Sequence, residues 1–428
     1  MVTVVLLISF VGMLLIRVPI SVAMGLSAVF ALWLGDYPLK VVPQYMGSAV
    51  MSYTLMAIPF FIFAGGILNV TGLTSRIFSF AYVFVSRISG GLAQVAIIAE
   101  MIFSGISGSM VADEAALGPI EMKAMTERGY GRNFSAAVIV SSTVLGPIIP
   151  PSIIFIIYAM AARVSIARMF LAGIVPGFII AAFMMTWIYY VTVTGKEKCP
   201  RPEKLTRRQK WSGFHGGILA SLTPFIILWG MVGGVVTPTE AGILAIVWSF
   251  IVGVIYKDID FRHLPKVLYE TSLGTAHIMF LISVGSLMGY VVALDGMPDK
   301  LVTLLTSLTT NKYVMLFLIN IFLLVLGCLI EPTPALLLVY PVLEPIVRAY
   351  GIDPIHFGMV ICYNLTIGML MPPIGLGLYV MCSIADVKFE PLFKACIPFI
   401  ICNILALFLI TYVPELSTWF PNWLMPRG

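Results

Sequence analysis

The chain has little charge: Asp, Glu, Lys and Arg make up 11% of its 428 residues. Soluble globular proteins carry about 25% charged residues, whereas hydrophobic residues reach 60% here and the mean hydropathy is +1.03. A soluble enzyme and a nucleic-acid-binding protein are therefore excluded. At about 20 apolar residues for each span, the length leaves room for roughly ten to fourteen membrane crossings and no large extramembrane domain.

Common catalytic and cofactor motifs are absent from the sequence. The six cysteines show neither the CxxC nor the Cys/His spacing of a zinc or redox site. There is no HExxH metalloprotease motif and no GxxxxGK[ST] nucleotide-binding loop, which argues against direct use of ATP. The N-terminus lacks a basic segment and its apolar run is long, so we expect a retained first helix and no cleaved signal peptide. We expect no organic cofactor and no nucleic-acid partner.

Basic residues concentrate near the middle of the chain. Residues 195–213 contain seven of the 25 Lys and Arg residues and predict the clearest loop. Because basic loops of membrane proteins face the cytoplasm, we place a linker at 196–212 there. A second basic loop at 257–266 is predicted on the same side. The linker divides the chain into two halves, 1–195 and 213–428, and both loops are interpreted as solvated segments without a specific partner.

The two halves share a pattern of glycine and proline. An offset of 222 residues aligns seven such positions without a gap, where composition predicts roughly one by chance. The aligned pairs are Gly105 with Gly327, Pro119 with Pro341, Gly129 with Gly351, Gly146 with Gly368, Pro150-Pro151 with Pro372-Pro373, and Pro176 with Pro398. The chain is therefore predicted to be an internal duplication. Inverted duplications with interrupted helices are typical of secondary transporters.

Both double-proline segments lie within apolar sequence long enough to span a membrane. Proline donates no N–H and disfavours helical geometry in the preceding residue. We therefore predict broken helices at about 133–163 and 356–385. The carbonyls expected to lose their helical donors are those of Thr143, Gly146, Pro147, Gly368 and Met369. The alternative is a proline kink repaired by a neighbouring Ser, Thr or water.

A second pair of irregular segments lies about forty residues earlier in each half. Residues 104–109 are rich in Gly and Ser, and residues 327–334 contain Pro332 and Pro334, which free the carbonyls of Cys328 and Ile330. We interpret both as tips of re-entrant hairpins, at about 90–128 and 312–349. The alternatives are a small-residue face for helix packing and an exposed loop position for Glu331.

Freed carbonyls at membrane depth persist only where they are buried or line a polar cavity. We hypothesise that sodium ions satisfy them, and that a half-helix N-terminus holds an anionic group of the substrate. The candidate sodium ligands are Ser107, Ser109, Thr143, Gly146, Gly327, Ile330, Thr333, Gly368 and Met369. The candidate substrate-binding residues are Ser142, Pro150, Glu331, Asn364, Thr366 and Pro372. No other metal is expected. The hydroxyl groups in these sets have an alternative role, which is to bond back to their own helices.

Four isolated ionisable residues, Arg17, Glu100, Arg163 and His277, are functional candidates if buried. The alternative places each near a helix end.

Several segments, in order, resemble one family. They are IPFFIFAGGIL at 58–68, GISGSMVADEAALGP at 105–119, GYGRNFSAAVIVSSTVLGPIIPPSIIFIIYA at 129–159, SIARMFLAGIVPG at 165–177 and TPTEAG at 237–242. Together they resemble the large membrane subunit of tripartite ATP-independent periplasmic (TRAP) transporters, over essentially the full chain.

The resemblance implies an all-α polytopic protein of the bacterial or archaeal cytoplasmic membrane. It implies two inverted repeats, each with a re-entrant hairpin and a broken helix, and a scaffold with a transport domain that moves like an elevator. The implied function is import of an organic acid, such as sialic acid or a C4-dicarboxylate, driven by sodium as the coupling ion. The implied partners are a periplasmic binding protein and a small four-helix membrane subunit, which we expect to be a separate chain.

Two rival functions are weighed against transport. The GxSG sequence at Ser107 with His277 as base would fit an intramembrane serine hydrolase, which requires both side chains within hydrogen-bond reach. The duplicated irregular segments favour transport over this enzyme. A passive anion channel is the other rival, and its conduction would be indifferent to a sodium gradient and to a binding protein.

Overall fold

The computed structural model describes residues 2–85, 88, 90–200 and 206–426. Within these residues it contains twenty-one α-helices and no β-strand. The helices of the first half are α1 (Val2–Leu15), α2 (Ile20–Leu34), α3 (Val41–Val50), α4 (Ala57–Val70), α5 (Leu73–Val85), α6 (Gly91–Ser107), α7 (Met110–Glu127), α8 (Arg132–Ser142), α9 (Ile153–Ala162) and α10 (Ile166–Val193). Those of the second half are α11 (Arg207–Ser221), α12 (Thr223–Val232), α13 (Pro238–Tyr256), α14 (Leu264–Leu294), α15 (Met297–Leu308), α16 (Lys312–Leu329), α17 (Pro332–Ala349), α18 (Pro354–Gly368), α19 (Leu376–Ala385), α20 (Phe389–Tyr412) and α21 (Glu415–Leu424).

The predicted all-α polytopic membrane architecture is confirmed. Six helical segments in the described residues are long and apolar enough to cross a membrane, or seven if the bent pair at 41–68 counts as one span. Several other apolar helices are too short to cross alone. That the halves are inverted repeats, and that one part moves against a scaffold, stay predictions.

Local sequence signals set the helix ends. The apolar run 2–34 forms two helices, separated by Arg17 with φ +65° and by Pro19. The predicted basic loop at 195–213 is wrong in its last part, because Thr206 and Gln209 form a capping box that starts α11. Residues 201–205 of the predicted linker lie outside the described residues. The second basic loop also ends early, since α14 begins at Leu264.

The two basic segments lie at one end of the molecule. The Tyr256 hydroxyl donates to the carbonyl of His215 at 3.1 Å, which joins the end of α13 to α11. Arg76 at the start of α5 forms an ion pair with Asp258 at 3.0 Å. This arrangement agrees with one charged face, and the cytoplasmic location of that face stays a prediction.

The helices that carry the breaks form the centre of the molecule. Helix α18 is buried at every residue from Ile355 to Gly368, and α8 is buried from Phe134 to Ser142. Helix α20 packs against α8 and α18, and α10 packs against α9 and α18. The long α14 packs against α2, α3, α4 and α17. Helix α17, which packs against α14, also packs against α9 and α18, so it links α14 to the broken helices.

Candidate functional site

The first break separates α8 from α9. A 3-10 turn follows α8, and irregular backbone containing Pro147, Pro150 and Pro151 leads to α9. The Pro150–Pro151 peptide bond is cis. Ser152 begins α9 because its hydroxyl accepts the N–H of Phe155 at 3.3 Å. The same hydroxyl donates to the carbonyl of Pro147. The helix is therefore interrupted at the predicted prolines.

The second break separates α18 from α19. The Pro372–Pro373 peptide bond is cis, and both prolines are exposed. Gly375 begins α19 with φ +54°, a conformation that glycine adopts without strain. Gly368 lies directly against Gly327 at the end of α16, and a Cβ at position 368 would overlap the Gly327 backbone. Because Gly327 and Gly368 have no side chains, the end of α18 before the second break contacts the end of α16 directly.

Most of the carbonyls expected to lose a donor find another one. The five pairs are Thr143 O with Gly146 N, Pro147 O with the Ser152 hydroxyl, Cys328 O with Ile374 N, Gly368 O with Met371 N, and Met369 O with Gly377 N. The prediction that these five carbonyls lack donors is wrong, because tight turns and neighbouring segments replace the helical bonds. The carbonyls of Gly146, Gly327 and Ile330 accept no hydrogen bond from any residue that the structure describes.

The hydroxyl groups beside the breaks bond to their own helices. Ser142, Thr143 and Thr366 donate to the carbonyls of Ile139, Val140 and Cys362 at 2.7, 2.9 and 2.8 Å. The alternative role assigned to these hydroxyls is therefore confirmed, although their oxygen lone pairs are still able to accept. The Asn364 amide instead donates to the backbone and side-chain oxygens of Asn320, at 3.1 and 2.8 Å.

One cavity of about 330 Å³, named here the central cavity, gathers both breaks and both helix-pair tips. Four of the predicted site residues line it: Ser109, Glu331, Thr333 and Met369. Ser107 lines an adjoining cavity. The other ten predicted site residues are not among the described residues that line the central cavity. They are Ser142, Thr143, Gly146, Pro150, Gly327, Ile330, Asn364, Thr366, Gly368 and Pro372.

Four helix N-termini converge on the central cavity. The first residues of α7, α9, α17 and α19 all line it: Met110 and Val111, Ile153 and Ile154, Pro332 and Thr333, and Leu376. A helix N-terminus carries a partial positive charge and unpaired N–H groups, so it attracts anions. Four such termini make the cavity favourable for an anion although no Lys or Arg lines it.

An adjoining cavity of about 390 Å³, here the access cavity, shares Ser109, Ile153 and Ile278 with the central one. On α14 it is lined from Val267 to Ile278, whereas the central cavity is lined by His277, Ile278 and Leu281. The access cavity therefore leads from the central cavity toward the end of α14 that follows the second basic loop.

Four carboxyl groups lie buried in the first helix pair, α6 and α7. Glu100, Asp113, Glu114 and Glu121 are at most 1% exposed, and no described Lys or Arg forms an ion pair with them. Both carboxylate oxygens of Asp113 and of Glu114 lack a hydrogen bond of good geometry among the described residues, although Asp113 lies beside Glu100 and Ser107. Buried charges need a partner, so these groups either hold protons or face a cation.

Asp113 is a candidate site residue that the sequence pattern did not indicate. Its Oδ2 lies against Gly146 in the first break, where a Cβ at position 146 would overlap it. A signal was available, since Asp113 lies one helical turn after Ser109 at the tip of the pair. The residues at the corresponding offset in the second half, Ala335 and Leu336, carry no charge.

The first break offers a better fit for sodium than the second. It combines the carbonyl of Gly146, which has no donor, with the unpaired Asp113 carboxylate. Beside the second break, the end of α16 offers the carbonyls of Gly327 and Ile330, which are neutral oxygens. Over the part of the chain described, no group of three or more His, Cys, Asp or Glu side chains is arranged to hold a metal ion.

The sequence from residue 7 to residue 416 matches the family model of the tripartite ATP-independent periplasmic transporter, DctM component. The chain belongs to this TRAP transporter family. The C4-dicarboxylate TRAP transporter large permease protein DctM of Vibrio cholerae is 36% identical over 97% of this chain and 96% of its own length. The sialic acid TRAP transporter large permease protein SiaM of Vibrio cholerae is 33% identical over 98% of each chain.

The fold has a solved counterpart. The crystal structure of the YdaH transporter of Alcanivorax borkumensis matches with a TM-score of 0.64 over 94% of this chain and 90% of that one, at 16% identity. At this identity the likeness shows the fold alone.

Membership of the TRAP family makes the chain a multi-pass permease of the bacterial inner membrane. It also implies a small membrane subunit and a periplasmic binding protein. TRAP permeases are not enzymes, so the serine-hydrolase alternative is wrong. The geometry agrees, because the Ser107 hydroxyl contacts the backbone of Ser109 and forms no hydrogen bond with His277 in the described structure.

Proposed function

We propose that this TRAP large subunit imports an organic acid anion through the central cavity and couples its movement to sodium. The convergence of four helix N-termini on one cavity is the observation that carries this proposal. The substrates in the names of the relatives, sialic acid and C4-dicarboxylates, are organic acids and support the same class. The substrate is delivered by a periplasmic binding protein.

Two sets of oxygens would hold sodium. One set is the carbonyl of Gly146 in the first break with the carboxylate of Asp113 on α7, and the other is the carbonyls of Gly327 and Ile330 at the end of α16, beside the second break. When bound, sodium supplies positive charge that offsets the carboxylate and the carbonyl dipoles. The helix N-termini hold the anionic group of the substrate, and the apolar residues between them exclude water from it.

The access cavity is the proposed release path. It leads toward the end of α14 beside the basic loops, which the positive-inside rule assigns to the cytoplasm. The structure then represents a state open to the cytoplasm, and uptake requires the opposite opening toward the periplasm.

Uptake by proteoliposomes tests this function. The purified permease is reconstituted with its small subunit and candidate binding proteins, and sialic acid and C4-dicarboxylates are offered with and without a sodium gradient. We expect uptake only when both the gradient and a binding protein are present. Uptake that ignores both would overturn the proposal and establish the passive anion channel.

A further inference from the structure

A cavity of about 440 Å³, named here the arginine pocket, lies among α5, the start of α6, the end of α7 and the start of α11. Arg76 and Arg128 line it, together with the polar side chains of Ser79, Gln209 and Ser212. No Asp or Glu is among the described residues that line this pocket. Its described wall therefore carries two positive charges and no negative one.

Both arginines keep hydrogen-bond donors for a ligand. Arg76 donates through Nη2 to Asp258 at 3.0 Å, and its Cζ lies 4.2 Å from the centre of the Tyr256 ring. Arg128 donates through Nη1 to the Tyr82 hydroxyl at 2.6 Å. A guanidinium has five N–H donors, so each side chain forms only part of the hydrogen bonds that it is able to make. The contacts with the tyrosine rings hold both guanidinium groups at the pocket wall.

The start of α11 adds a neutral donor. Gln209 accepts the N–H and the hydroxyl of Thr206 through its side-chain oxygen, both at 2.9 Å. Its NH₂ group is therefore left for a ligand. Two guanidinium groups and an amide N–H match the several acceptor oxygens of a phosphate, which arginine binds with charge-assisted hydrogen bonds.

The surface beside the pocket is apolar and aromatic. Phe84 on α5 and Trp211 on α11 are 58% and 68% exposed, and each is next in sequence to a residue that lines the pocket. Phe80 and Phe214 pack against Phe84, with ring centres 4.9 and 6.3 Å apart. In membrane proteins Trp is enriched at the level of the lipid head groups. An anionic phospholipid matches both features, because its phosphate fits the arginines and its acyl chains cover the aromatic rings. A soluble phosphate matches only the first.

The arginine pocket lies at the charged end of the molecule. Asp258, the partner of Arg76, belongs to the second basic loop, and the pocket residues of α11 follow the first basic segment. The positive-inside rule assigns this end to the cytoplasmic leaflet. Basic pockets between helices on that side are suited to anionic lipid head groups.

We propose that the arginine pocket binds the phosphate of an anionic phospholipid, such as phosphatidylglycerol, with Arg76 and Arg128 as its cationic partners. The bound lipid contacts α5, the end of α7 and the start of α11, and so joins the first helix pair to the second half of the chain. The site is separate from the path of the substrate, because none of its described residues lines the central or the access cavity.

Native mass spectrometry of the purified permease with its small subunit tests the proposal. The delipidated protein is titrated with phosphatidylglycerol, with phosphatidylcholine and with glycerol 3-phosphate. Phosphatidylcholine carries the same phosphate and also a quaternary ammonium cation, which the arginines repel, and glycerol 3-phosphate has no acyl chains. We expect phosphatidylglycerol to bind roughly tenfold more tightly than either, because its charge-assisted hydrogen bonds and its chains act together. Equal binding of phosphatidylglycerol and either other compound would overturn the proposal.

The double variant with Arg76→Gln and Arg128→Gln should bind phosphatidylglycerol roughly tenfold more weakly, since it loses both cationic partners. Asp258→Asn is the matched control, because it breaks the ion pair of Arg76 and keeps the guanidinium. It should bind the lipid at least as tightly as the unmodified protein. Lys266→Gln removes an exposed charge outside the pocket and should have no effect.

Arg128→Gln alone separates lipid binding from folding, because Arg128 forms no ion pair among the described residues. This variant should also weaken the binding of phosphatidylglycerol, by roughly threefold. If it and the double variant bind the lipid as tightly as Asp258→Asn and Lys266→Gln do, the lipid binds elsewhere and the proposal is overturned.

Discussion

The two helix pairs that border the central cavity have similar helix lengths and different buried polar groups. The first pair, α6 and α7, buries four carboxyl groups, and the oxygens of Asp113 and Glu114 have no protein partner among the described residues. The second pair, α16 and α17, buries Asn320, whose amide donates to Thr411 at 3.1 Å and whose oxygens accept from Asn364. The first pair therefore depends on protons or a cation from outside, and the second satisfies its polar groups internally.

The network of the second half extends through α18 to the C-terminal helices. His356 contacts the carbonyl of Thr411 at 3.2 Å and the hydroxyl of Ser417 at 2.9 Å. The side-chain oxygen of Asn364 has no partner among the described residues, and the hydrogen bonds that are formed restrict the positions of the other groups in the network. The comparison teaches that an element with unpaired buried carboxyl groups and an element with an internal hydrogen-bond network both border the central cavity.

The largest effect is expected from Gly368→Ala. The added Cβ would overlap the backbone of Gly327, which cannot move as a side chain can. We expect a loss of about 3 kcal/mol or more of stability, by analogy with overpacked cores. Thermal unfolding of the purified permease measures it. Gly146→Ala should lose less, because the neighbour it would overlap is the side chain of Asp113.

Gly12→Ala is the matched control, since a Cβ at position 12 has no neighbour within 4 Å. An unfolding temperature of Gly368→Ala equal to that of the control would show that the close approach of the second break and α16 is absent.

A smaller effect is expected from Asn320→Ala, which removes the side-chain acceptor of the Asn364 amide and the donor to the Thr411 hydroxyl, while the backbone acceptor of residue 320 stays. The expected loss is about 2 kcal/mol of stability, the cost of unpaired buried polar groups. Sodium dependence of binding should stay unchanged. The double variant with Asn364→Ala should be non-additive by roughly 1 kcal/mol in unfolding measurements. Additive losses would mean that the two amides act independently.

The smallest effect on stability, and the one specific to sodium, is expected from Asp113→Asn. Removing a buried unpaired charge should leave stability unchanged or raise it. The apparent affinity for sodium should fall about tenfold, which corresponds to about 1.4 kcal/mol. Sodium titration of ligand binding provides the measurement. Glu121→Gln on the same helix, also buried, is the control and should bind sodium normally. If both variants bind sodium with equal affinity, Asp113 is not a ligand of the sodium site.

The sequence predicted the interruptions of the helices and not their hydrogen bonding. The adjacent prolines at 150–151 and 372–373 lie in the interruptions, whereas the single prolines Pro176 and Pro398 lie inside α10 and α20, so it is the proline pairs that mark the breaks. The donors that satisfy the carbonyls, such as Ile374 for Cys328, come from segments distant in sequence or from tight turns. Of the six predicted substrate-binding residues, only Glu331 lines the central cavity. The Asn364 amide instead donates a hydrogen bond to the side chain of Asn320.

The sequence by itself determined the membrane class, the family and the positions where helices break, because composition, motif order and the chemistry of proline are local properties. Tertiary structure alone decided which four helix N-termini meet at one cavity and which carboxylates remain unpaired beside it. The meeting of these helix N-termini depends on how the helices pack against one another. A carboxylate oxygen is unpaired only when every hydrogen-bond donor lies out of its reach, which depends on the positions of residues distant in sequence.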